Sequence, residues 1–88
     1  SAVVDLWTEM ASLSLERVPG ALMGEILQDP SDPRRLFALG VWLDPQSLEL
    51  WRHLPEYRQF FARLLPLCEE VERRSLTVLA RAVKDGER

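Results

Sequence analysis

The sequence has no asparagine, one lysine, one isoleucine, one histidine (His53) and one cysteine (Cys68). Each scarcity excludes something. A single cysteine closes no internal disulfide, so a disulfide-stapled secreted scaffold is excluded. One histidine and one cysteine do not make a zinc site, and no metal is expected. Without asparagine there is no Asn-Gly hairpin turn, and the one Asp-Gly pair, Asp85-Gly86, falls at the C-terminal end, where it reads as a helix stop. No apolar run approaches the roughly 18 residues that span a bilayer. The first residues show no charged region followed by an apolar one, so no signal peptide is visible and a cytoplasmic location is expected. With 14 acids against 11 bases the net charge is -3, and no concentrated basic face is present. Neither nucleic acid nor a membrane surface is therefore an expected partner.

What the chain does have is leucine, alanine and arginine. Sixteen leucines and seven alanines stand against two threonines and one isoleucine, a balance that favours helix over strand. At 88 residues the chain holds one domain, residues 1–88, of marginal core size. The expected fold class is all-α: a small bundle of four to six helices, several of them short.

Prolines divide it. Over residues 2–17, Val3, Leu6, Trp7, Met10 and Leu13 fall on one helical face, and Pro19-Gly20 stops the helix. A short helix is expected over 21–28, weakened by Gly24. Asp-Pro pairs at Asp32-Pro33 and Asp44-Pro45 read as N-cap and first helical residue, so helices are expected to start at Pro33 and Pro45. The run Leu36 to Leu43 has the apolarity of a buried strand or a buried helix; with no partner strand in view it is assigned to helix. From Pro55 to Lys84 a longer helix is expected, because Tyr57, Phe61, Leu64, Cys68, Val71, Ser75, Val78 and Ala82 step by four and three. Pro66 should kink it or break it in two.

Catalytic chemistry finds no support. His53 and Cys68 are separated by a proline-broken stretch with no nucleophile turn around either. Glu69, Glu70 and Glu72 read as a solvated helical face in which Glu69–Arg73 and Glu70–Arg74 pair at i, i+4. No catalytic residue, metal ligand or cofactor is expected, and the chain is expected not to be an enzyme. The surplus lies in large apolar side chains: Trp42, Trp51, Tyr57, Phe60 and Phe61 fall within twenty residues. A core this small cannot hide them all, and aromatics and arginines favour interfaces. The candidate protein interface is Trp51, Leu54, Tyr57 and Phe61, with Arg52 and Arg58 at its rim. The expected partner is another protein, as a homodimer or heteromer.

In size, helicity, acidity and arginine-rich composition the chain resembles small proteobacterial anti-activators of quorum-sensing receptors. The resemblance implies a regulator that sequesters a transcription factor by covering its dimer interface. An immunity protein and a secretion chaperone share the same features and stand as alternatives; a small DNA-binding regulator is a second alternative, which needs a basic recognition helix that the sequence does not show.

Overall fold

The helix over residues 2–17 forms where the pattern places it. A computed structural model describes residues 1–84 of the chain, and in it α1 spans Ala2–Arg17. The Ser1 hydroxyl accepts from the amide of Val4 at 3.2 Å and caps its first turn. Leu6, Met10 and Ser14, each four residues apart, form its buried stripe. The helix ends at Val18, whose extended backbone suits the residue before a proline.

The next segments correct the all-α expectation. Residues expected as a short helix over 21–28 and a helix from Pro33 are two antiparallel strands, β1 (Ala21–Asp29) and β2 (Asp32–Trp42). The fold is α+β: among the described residues, a two-stranded hairpin with three α-helices. The misreading has a specific cause. Asp29-Pro30 and Asp32-Pro33 build the hairpin turn instead of capping a helix: the Asp29 carboxylate accepts from the Ser31 amide at 2.9 Å and from its hydroxyl at 2.7 Å. Asp and Pro serve turns as readily as helix starts. The strand partner of 36–43 was the segment before the turn, with Gly24 opposite Gly40, Ile26 opposite Ala38 and Gln28 opposite Leu36.

Asp44-Pro45 does start a helix. In α2 (Pro45–Arg52) the Asp44 carboxylate accepts from the amide of Ser47 at 2.8 Å and from its hydroxyl at 2.7 Å. These bonds hold the Asp44 carboxyl below its ordinary value, the Ser47 hydroxyl contributing most. Next, α3 (Pro55–Leu64) runs antiparallel to α1, with Glu9 meeting Arg63 at 2.9 Å and Arg17 meeting Glu56 at 3.0 Å. Leu6, Met10, Val18, Trp51, Phe60 and Leu64 close the core, with α1 against β1 and α2 against β2.

The long C-terminal helix to Lys84 is also corrected. A single 3-10 turn, Leu65–Leu67, follows α3, and residues 68–84 have no regular secondary structure. Pro66 has no N–H to offer the carbonyl of Ala62, and Cys68 is already extended. The expected pairs Glu69–Arg73 and Glu70–Arg74 give way to Arg34–Glu69 at 3.8 Å and Glu72–Arg74 at 3.0 Å. The segment lies against the helices through Arg73, which donates to the Tyr57 hydroxyl at 3.3 Å and stands 4.7 Å from the centre of the Phe61 ring. Arg52 donates to the Ser75 hydroxyl at 3.1 Å. Asp85-Gly86, expected as a helix stop, lies outside the described residues. Among the described residues no helix is long and apolar enough to cross a membrane.

Candidate functional site

Small residues on the helix-facing side of the hairpin leave space. Ala38 and Gly40 alternate along β2 on one face, and Gly24 sits directly across from Gly40 on β1. A Cβ on Gly24 would lie 3.2 Å from Cζ2 of Trp7, so the α1 indole rests on bare strand backbone. A Cβ on Gly40 would lie 3.0 Å from Nε1 of Trp42, two residues along the same strand. Between these rings, α1 and the hairpin is a cavity of about 120 Å³. Met10 and Ser14 of α1, Trp51 of α2 and Phe60 of α3 complete its wall.

The lining is apolar, with one hydroxyl. Ser14 donates that hydroxyl back to the Ala11 carbonyl at 2.8 Å, so it is already committed. None of the lining residues is acidic, basic, histidine, tyrosine or cysteine. What this arrangement can do is take up an apolar molecule and orient it between indole faces. Proton transfer from a side chain is not among its capacities. Among the described residues no group of three acidic, histidine or cysteine side chains is placed to hold a metal ion.

The residues expected to form a protein interface are brought together, chiefly as packing. Trp51 is buried in the core and also faces the cavity. Tyr57 stacks edge-on to Trp51 at 6.0 Å between ring centres and lies 4.9 Å from Phe61. Leu54, Tyr57 and Phe61 are partly buried against that core. Arg52 is half-buried and bonded to Ser75, whereas Arg58 is exposed. Cys68 is a free thiol, half-buried.

Of the residues that line the cavity, the sequence marks only Trp51 as a site residue, and for a protein interface. The signal of the others was present as the period-two placement of Ala38, Gly40 and Trp42, and it becomes readable once that run is known to be a strand.

Helices over one face of an antiparallel hairpin, with an apolar space between the layers, define a small α+β architecture. The chain belongs to the antibiotic biosynthesis monooxygenase family, whose sequence profile matches residues 1–63. The matched stretch contains α1, the hairpin, α2 and nearly all of α3, and so the whole cavity. Neither the curated proteins nor the solved structures include a match to this chain. The family assignment overturns the resemblance to quorum-sensing anti-activators, and with it the reading as a regulator that sequesters another protein. That resemblance rested on composition and supposed helicity, and the hairpin removes the second of these. A monooxygenase family points toward an enzyme, and nothing here supports the expectation of a non-enzymatic chain.

Proposed function

We propose that the chain binds a small apolar molecule in the cavity between α1 and the hairpin and takes part in its oxygenation. The single observation behind this reading is the cavity itself, walled by Trp7, Trp42 and Trp51 and floored by Gly24 and Gly40. The family description supplies the reaction class. In a monooxygenation one atom of O₂ enters the substrate and the other leaves as water, with two electrons drawn from the substrate or a reductant. The residues here contribute binding and orientation.

The test is calorimetric titration with toluene, followed by oxygen-uptake measurements on oxidisable single-ring compounds that bind. Saturable binding at one site supports the reading. No binding by any apolar probe contradicts it.

A second reading concerns association, and a specific observation favours it. Leu22, Leu27, Phe37 and Leu39 on the hairpin are about half exposed, and Leu76 and Leu79 are 85% and 94% exposed. Large apolar side chains exposed to this degree favour association. We propose a homodimer that covers it, which sedimentation equilibrium would show as twice the chain mass; a monomer across the micromolar range would refute it.

A further inference from the structure

We infer that Trp7 sets the upper size limit of the ligand, so that the cavity admits a single apolar ring and rejects two fused rings. The inference rests on the proposed cavity function and narrows it to a substrate class.

Volume comes first. Apolar cavities of about 150 Å³ take up benzene-sized molecules and otherwise stay dry. The space here is about 120 Å³ and open to solvent on one side, so one six-membered ring fills its walled part. A second fused ring has to displace a wall or stand out in solvent, where it gains no apolar contact.

Which wall is decisive follows from what stands behind each. Trp51 and Phe60 belong to the closed core and are under 10% exposed, so displacing either disturbs the whole molecule. Trp42 projects from the strand that forms the floor, over Gly40. Trp7 differs. It is half-buried on α1, its ring edge lies on the Gly24 backbone, and its far side is not part of the buried core. Removing the Trp7 indole leaves the floor of Gly24 and Gly40 intact and adds the space of an indole to the cavity. A methyl group on Gly24 acts the other way. Its Cβ would lie 3.2 Å from the Trp7 ring, tight enough to shift the ring by a few tenths of an ångström, and the inference requires that shift to be into the remaining space.

The experiment compares toluene and naphthalene binding by titration calorimetry on the full chain and on Trp7→Ala, Trp7→Phe and Gly24→Ala. Circular dichroism and melting curves establish that each variant is folded. The natural chain should bind toluene at least tenfold more tightly than naphthalene. Trp7→Ala should reverse that order, Trp7→Phe should fall between, and Gly24→Ala should weaken toluene by fivefold or more. If Trp7→Ala fails to fold, the graded shift in Trp7→Phe and the loss in Gly24→Ala decide the matter. Naphthalene binding to the natural chain as tightly as toluene overturns the size limit and leaves the cavity reading standing. An unchanged preference in folded Trp7 variants also overturns it. Failure of both probes to bind any of the proteins instead removes the cavity function on which the inference rests.

Discussion

The two sides of α1 are packed by opposite means. Toward α3 the helix meets large side chains: Leu6 and Met10 against Phe60 and Leu64, all under 10% exposed. Glu9–Arg63 and Arg17–Glu56 hold the edges of that contact. Toward the hairpin it meets Gly24, Ala38 and Gly40, and the indole of Trp7 bridges what small residues leave open. One side is closed by large buried side chains, and the other keeps a groove that Met10 and Phe60 also border. Interiors rarely tolerate voids larger than water, because lining atoms lose their dispersion partners. On the proposed reading, the space left beside Gly24 and Gly40 is room for a ligand.

This difference is testable by perturbing each side in turn. The largest loss should come from the filled side. Phe60→Ala removes an aromatic from the core and should cost about 3–5 kcal/mol, enough to unfold the chain or lower its melting temperature steeply in a thermal scan. Gly20→Ala comes next. Gly20 is buried and a Cβ there would collide with the side chain of Ser47, which Asp44 holds as part of the α2 cap. Overpacking of this kind costs about 1–3 kcal/mol, readable in urea denaturation.

The Asp44→Ala variant should lose less, and its effect carries a pH signature. The carboxyl of Asp44 is held below its ordinary value of 3.8 by the Ser47 hydroxyl and then by the Ser47 amide. A depressed carboxyl stabilises the fold above the unfolded value and loses that contribution as pH falls through the lower folded value. The melting difference between Asp44→Ala and the natural chain should thus be constant near pH 7 and shrink below about pH 4. A difference that persists unchanged at pH 2 would count against the cap. The smallest effect belongs to Arg63→Ala. Its pair with Glu9 has both side chains 60% exposed, and such surface pairs contribute about 1 kcal/mol or less. A larger loss in denaturant titrations would mean that α1 and α3 depend on their edges more than on their filled contact.

How much of this was legible in the sequence divides along the same line. Local signals were readable. The apolar stripe of α1, the stop at Pro19-Gly20, the cap at Asp44-Pro45 and the start at Pro55 all depend on residues within one or two turns. The break at Pro66 was readable for the same reason. The hairpin was not, because pairing Gly24 with Gly40 joins residues sixteen positions apart, and Asp-Pro at its tip carries helix-start chemistry equally well. Once 36–43 was assigned to helix, Ala38 and Gly40 lost the alternation that places them on one face, and the cavity vanished with it. The C-terminal stripe failed for a different reason. Steps of four and three describe which residues would align if a helix formed, whereas Pro66 ends the helix, and Val71, Thr77, Val78 and Val83 favour extended backbone beyond it. The aromatic cluster around Trp51 was found as a cluster, although Trp51 itself lies in the core and half-faces the cavity.

The most direct test of the cavity as a ligand site is a nitrogen-15 spectrum of the three indole N–H groups during titration with toluene. The account predicts that the Trp7 and Trp42 resonances shift together and saturate at one equivalent, while amides of residues 71–84 stay in place. Unmoved indole resonances, or shifts confined to 71–84, would contradict it.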